Sequence, residues 1–567
     1  MRTTPFLAVS LFASLITLVP GCGSSDPSPI DTPAAYAPPP ASVVVEDGAV
    51  KIRREIFLVK GVKTPKNPLA KSNAETPAEL EQVRVVRYRV DSETPRPARA
   101  VAVLMPGFLG GAGSYDSLAR ALVRRSTEGE AFEAWAIDRR SNLLEDHHGL
   151  DVAEVKKDPE IAAGYYFDGK EVEGKTFAGF RDTSELSFES EWGLPVTIGD
   201  LHNVIGMIGE ADRKARVVLV GHSLGASIVE EYATWDFDGK AGYDELAGLV
   251  MIDGLTQNEG DAALPVSADE YQNGQKGGGL GASPGVITIR SATPYFALPL
   301  LGVSIYPIAA VTAMRARWSP TEMAKDYDRD KAFQTLLALE TVPKMTNRAA
   351  MGLAFDNESN GVTFAAVSCG TVKGGSTAIY DSILGSKLSH PTDADATYDW
   401  IEFDKTNPKE ITSVDDIARS WYEGPGLDFA EWYFPTRLAL DTAAAGTLVL
   451  KKGDWPLDQE GMRAIHGAAL DLPIFGAIAG LVHDPKAIDK LRTLVANVPI
   501  GPNRPLAGKA RTDADAFKVL DIHDFTHIDP LSGTDVGRAK DWYDTLATWM
   551  KTNTPAGGIV VAVQPSP

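Results

Sequence analysis

The run Val217-Val218-Leu219-Val220-Gly221-His222-Ser223-Leu224-Gly225-Ala226-Ser227 limits the possible folds of this chain more than any other segment. Its uninterrupted apolar start reads as a strand buried on both faces, and a helical pattern begins directly after Ser223. A strand that becomes a helix across one residue leaves no room for a loop. The turn must therefore be sharp and must force Ser223 into an unusual backbone conformation. Glycine is required at 221 and 225, where a side chain would meet the neighbouring strand and helix. The result is a serine hydroxyl displayed at a helix N-terminus, where developing negative charge is stabilised.

The surrounding pattern predicts the sheet into which this turn fits. Val50–Val59 and Val83–Val90 read as strands, the second alternating apolar and basic residues as a half-exposed antiparallel strand near a sheet edge does. Ala100–Met105 is a continuous apolar run ending at Pro106-Gly107 and reads as a central parallel strand. Helical segments then alternate with strands at Glu133–Asp138, Val217–Val220 and Leu249–Asp253. Alternation of this kind predicts a doubly wound, mostly parallel α/β sheet with its ligand site beyond the carboxyl ends of the strands. It breaks down after Gly254 and resumes with Leu472–Ile478 and Phe517–Ile522, so residues 255–470 are expected to form an inserted cap, flanked by core parts 49–254 and 471–567. Ser291–Met314, which contains no charged residue but includes Pro299 and Pro307, is expected to line an apolar cavity within that cap rather than to span a membrane.

In its strand-turn-helix setting the Gly221-His222-Ser223-Leu224-Gly225 motif resembles that of the α/β-hydrolase family of serine esterases and lipases, over the core but not the cap. The resemblance implies Ser223 as nucleophile and, in Met105-Pro106-Gly107-Phe108-Leu109-Gly110-Gly111, the loop that supplies an oxyanion donor. By position the donors are the amides of Phe108 and Leu224. Phe525-Thr526-His527-Ile528-Asp529 follows the last core strand and is similar to the family's H-x-D ending, which makes His527 the base. His523 is its competitor, closer to the strand end, where it would pack or cap. Family chain order puts the acid between serine and histidine, and Asp484, first acid after Leu472–Ile478, is the choice. Asp253 is the alternative, because some lipases carry the acid after the earlier strand. The implied reaction is cleavage of a carboxylic ester, small-molecule or lipid, through an acyl-enzyme, with no cofactor or metal. The same residues would serve an envelope acyltransferase. A catalytically inactive hydrolase fold kept as a binding module is a further alternative, against which an intact Ser223 and His527 argue.

Other polar clusters are read without chemistry. Glu145-Asp146-His147-His148 is expected on a solvated loop at the cleft rim, and Asp138-Arg139-Arg140 to set loop geometry by ion pairing. The chain has two cysteines; Cys369 lacks basic neighbours and is expected to be a buried, inert thiol. Cys22 ends a cationic and then apolar leader, residues 1–21, of secretory type, and Val19-Pro20-Gly21-Cys22 resembles the lipobox of bacterial lipoproteins. That resemblance implies an exported protein held to a bacterial membrane by acyl chains on Cys22, and Gly23 after it resembles sorting to an outer membrane. Residues 22–48, rich in Pro, Ser and Gly, are expected to form a disordered tether. A net charge of −21 without any Lys/Arg-rich block excludes nucleic acid as a partner class.

Overall fold

The computed structural model describes residues 42–562, apart from 48, 257–263, 265, 276–282, 299–301, 326–342, 382–386, 403–409, 425–426 and 513. Cys22, the leader and most of the expected tether lie outside the described residues. Nine strands make one sheet: β1 (Ser42–Asp47), β2 (Val50–Lys60), β3 (Gln82–Val90), β4 (Ala98–Met105), β5 (Ala131–Asp138), β6 (Val217–His222), β7 (Gly248–Ile252), β8 (Ile474–Ile478) and β9 (Phe517–Asp521). Their order is β1-β2-β3-β5-β4-β6-β7-β8-β9. The β1/β2, β2/β3 and β3/β5 pairs are antiparallel and all later ones parallel. The chain passes from β4 to β5 on one side and returns to β6 on the other, a topological switch that opens a crevice at the carboxyl ends of β4 and β6.

Helices cover both sheet faces. α1 (Asp116–Arg124) and α8 (Gly537–Asn553) bury Leu118, Leu122, Trp542 and Trp549 against Val86, Val218 and Phe475 on one face. On the other face, α2 (Leu194–Gly206), α3 (Leu224–Thr234) and α7 (Thr436–Ala445) bury Ile198, Ile228 and Leu438 against Val103, Leu219 and Leu249. The cap has its own apolar core, centred on α4 (Ile305–Trp318), α5 (Asn347–Phe355) and α6 (Val414–Trp421). α4 is buried along almost its whole length, which accounts for the uncharged sequence, and Pro307 falls in its first turn, where no intrahelical bond is lost. Among the described residues no helix is long and apolar enough to cross a membrane.

Four expectations change. Ser42–Asp47 is a strand and not tether, since its Val43-Val44-Val45 run pairs antiparallel with β2. The basic face of β3 is covered: Arg84 and Arg87 are buried and meet Asp138 and Glu133, each at 2.6 Å, so the alternation that suggested exposure reflects buried ion pairing. The cap draws on two insertions, since Leu150, Tyr165 and Phe188 from between β5 and α2 join its core. Its later end comes sooner than residue 470, because α7 together with Leu448, Leu450, Met462 and Leu470 packs on the main sheet.

Candidate active site

β6 ends at His222 and α3 begins at Leu224, so Ser223 alone makes the turn, at φ 55° and ψ −125°. A left-handed φ is costly for serine, and the close packing on every side imposes it. A Cβ on Gly221 would stand 2.1 Å from the Gly225 carbonyl oxygen, and one on Gly225 2.2 Å from that of Met105. A Cβ on Gly254 would stand 2.2 Å from the Ser223 carbonyl oxygen, and one on Gly107 2.8 Å from the Ser223 Cβ. Four glycines thus let backbone close around one serine.

His527 follows β9 and is buried, its Nδ1 2.7 Å from Asp253 Oδ2. Nδ1 donates to the carboxylate, which leaves Nε2 for the other side of the ring. Asp253 directly follows β7 and is fully buried. Besides His527 it accepts the amides of Ala479 and Val482 at 2.9 Å and of Leu481 at 2.8 Å. Burial pushes its carboxyl up, but the His527 bond and charge and the Leu481 and Val482 amides outweigh that and hold it below the ordinary range. Asp484 does not approach His527: it is exposed and caps a short helical turn by accepting from Lys486 N at 2.9 Å. The loop after β8 does serve the imidazole, though through amides that grip Asp253 and not through its own acid. His523 neither packs nor caps a helix; it is exposed on Asp521 at 2.7 Å.

A residue with no chemical cue in the motif locks the histidine from behind. His222 is buried, its ring 4.3 Å from that of His527, and its Nε2 donates to the His527 carbonyl at 2.8 Å. Burial, and then the neighbouring His527, depress its pKa to about 3, so it stays a neutral donor. The next residue but one in the H-x-D segment, Asp529, pins the same loop to the cap by accepting from Ser368 N at 3.0 Å and Thr412 Oγ1 at 2.6 Å.

The Pro106–Gly111 loop faces Ser223 and is held from both sides. Arg139 donates to the carbonyls of Pro106 and Gly107 at 2.8 Å and of Gly110 at 3.0 Å, and pairs with the buried Glu431. Segment 428–431 zips along the loop through Gly111 N to Phe429 O, Gly113 N to Asp428 O and Glu431 N to Leu109 O. The ion pairing expected of Asp138-Arg139-Arg140 is present, with Arg84, Glu431 and Asp200 respectively. Nothing in the sequence marks segment 428–431 as part of the site. Phe108 lines the cavity, its ring edge-on to Phe434 and Phe296, while Leu224 opens α3, where first-turn amides lack intrahelical carbonyls.

Ser223 and His527 open into one cavity of about 160 Å³, bounded by Phe108, by Leu298 and Ile308 of the uncharged segment, and by Phe355. Part of Ser291–Met314 thus lines an apolar cavity as the sequence leads one to expect; residues 299–301 of it lie outside the described residues. Cys369 is buried, as expected. Glu145 and His147 also differ from expectation, being buried rather than solvated.

A one-residue strand-to-helix turn carrying a serine at the switch point of a mostly parallel sheet, with a histidine-carboxylate pair opening into the same cavity, defines the α/β-hydrolase class. Residues 102–352 match the model of the Alpha/beta hydrolase family. No curated protein matches the chain. Solved structures to which the chain is distantly similar include a peroxisomal alpha-beta-hydrolase from Saccharomyces cerevisiae, 10% identical with TM-score 0.36, covering 92% of this chain and 94% of that one. An epoxide hydrolase from Vigna radiata is 14% identical with TM-score 0.33, covering 83% and 94%. A thermophilic esterase from Thermogutta terrifontis is 9% identical with TM-score 0.31, covering 88% and 100%.

Proposed function

We propose that this chain is a serine hydrolase that cleaves carboxylic esters through an acyl-enzyme on Ser223, with His527 as base and Asp253 as the orienting acid. The observation that carries the reading is the strained, cavity-facing Ser223 beside a histidine whose Nδ1 is fixed on a buried carboxylate. His527 Nε2 takes the Ser223 proton as Oγ attacks the ester carbonyl, and Asp253 stabilises the imidazolium. The Phe108 and Leu224 amides hold the tetrahedral oxygen. His527 returns the proton to the leaving alcohol, and water then releases the acid by the same steps. The apolar walls favour a hydrophobic acyl or alcohol group. We further propose that the enzyme is exported and anchored by acyl chains on Cys22. A fluorophosphonate probe tests the nucleophile: the wild type is expected to label on Ser223, and Ser223→Ala to fold normally, resist labelling and lose about 10⁵-fold or more in turnover of p-nitrophenyl esters. Near-native turnover by that variant would reject the reading.

A further inference from the structure

Beneath the Pro106–Gly111 loop lies a second polar cluster that the proposed reaction does not use. Glu145 and His147 follow β5, Asp428 belongs to the segment zipped to the loop, and all three are buried. One donor atom from each lies within 4.8 Å of the others, the one group of this kind among the described residues. His147 Nε2 is 2.7 Å from Glu145 Oε2 and 3.5 Å from Asp428 Oδ2. Ligands bound about 2.0–2.2 Å from a tetrahedral zinc ion stand about 3.2–3.6 Å apart, so the two His147 distances need change by under about 1 Å for the group to share one.

The groups around them hold the ligands in place. Trp432 donates its backbone amide to Glu145 Oε1 and its indole N–H to Asp428 Oδ2, each at 2.8 Å, and Ala430 N donates to Asp428 Oδ1 at 3.0 Å. Such outer donors orient carboxylates toward a metal. Two buried oxygens nearby make no hydrogen bond, Asn142 Oδ1 and the Tyr306 hydroxyl. Asn142 is 2% exposed and its own amide donates to Glu145 Oε1 at 3.3 Å, which sets Oδ1 beside the cluster. Tyr306 is 4% exposed and close enough for Glu145, Asp428 and the Arg139-paired Glu431 to act on it electrostatically. Buried oxygens left unpaired cost free energy, and a cation with its ligand sphere would satisfy them.

We propose that Glu145, His147 and Asp428 bind one divalent transition-metal ion, zinc by the character of the donor set, as a structural clamp between the first insertion and segment 428–431. Two carboxylates and an imidazole suit zinc, and since the proposed reaction routes no step through these buried groups the ion would act structurally. The clamp holds the segment whose Asp428 and Phe429 carbonyls and Glu431 side chain fix the loop facing the nucleophile. Zinc ligands bind deprotonated, so binding would release protons.

The test is calorimetric titration of zinc chloride into the chelator-stripped full chain, in two buffers of different ionisation enthalpy, with the unfolding temperature measured alongside. Expected are one zinc per chain, net proton release, an affinity that rises with pH, and a higher unfolding temperature with zinc. Asp428→Asn and Glu145→Gln are each expected to weaken binding about 10-fold or more. Glu145→Gln keeps the size and shape of the side chain and so serves as a folded control if Asp428→Asn fails to fold. Absence of stoichiometric binding to the wild type overturns the proposal, and so does equal affinity in folded Glu145→Gln. Because neither readout depends on turnover, a failure here leaves the ester-hydrolase reading separately judged by Ser223.

Discussion

At the residue scale, the site depends on which carboxylate reaches His527. Asp253 is at 2.7 Å and Asp484 is turned to Lys486 N, so Asp253→Asn is expected to lower kcat about 10⁴-fold through the wrong imidazole tautomer while Asp484→Asn changes it little. Steady-state kinetics of the two variants decides it, and the reverse ranking would return the role to Asp484. His222 brings a pH dependence of its own. Its pKa is held to about 3 in the fold and stands near 6.5 in the unfolded chain. Between those values the unfolded state binds a proton that the native state does not, so stability falls with falling pH by about 1.4 kcal/mol per unit. His222→Gln removes this component. Urea unfolding near neutral and at moderately acid pH should show a shallower loss in the variant than in the wild type, and an identical slope would contradict the burial of a neutral His222.

At the scale of elements, the turn between β6 and α3 works because β4 and its following loop come close enough to touch it. Gly107 and Gly225 are where these elements meet, and Arg139, at the end of β5, fixes the loop by three carbonyl bonds that only a planar multi-donor side chain can make together. Arg139→Ala leaves Glu431 buried without its cation and is expected to destabilise the fold by about 3–5 kcal/mol. Arg139→Lys keeps charge but not geometry, so it should lower kcat more than a comparable loss of stability explains. Denaturant unfolding and kinetics on the same two variants separate these effects; unchanged stability in Arg139→Ala would show that the pair does not hold the loop. The cap likewise gains its role from meeting the core, since α4 contributes cavity walls while α7, of the same predicted insertion, covers the sheet.

At the scale of the whole molecule, the proposed anchor and the proposed catalysis can be tested apart. If Cys22 carries acyl chains, each buried methylene contributes about 0.8 kcal/mol to membrane binding, so two or three chains hold firmly where one does not. Cys22→Ser is then expected to move the enzyme from membrane to soluble fractions with unchanged turnover of soluble esters, and mass spectrometry of an N-terminal peptide that is unmodified and begins elsewhere would reject the anchor. The sheet strands from β2 onward, the position of Ser223 and the insertion after β7 were legible in sequence because they depend on local patterns: apolar runs, helix periods and glycines tied to one sharp turn. Short-range pattern does not state which distant segments meet. That is why Asp253 over Asp484, the burial of Arg84, Arg87, Glu145 and His147, the join of two insertions in one cap core and the grip of segment 428–431 on the loop emerged only in three dimensions. The sequence by itself determined the strand-turn-helix that presents a serine, and tertiary packing decided its partners, because a carboxylate's place in a buried hydrogen-bond network depends on neighbours brought together from hundreds of residues away, such as Asp253 and His527.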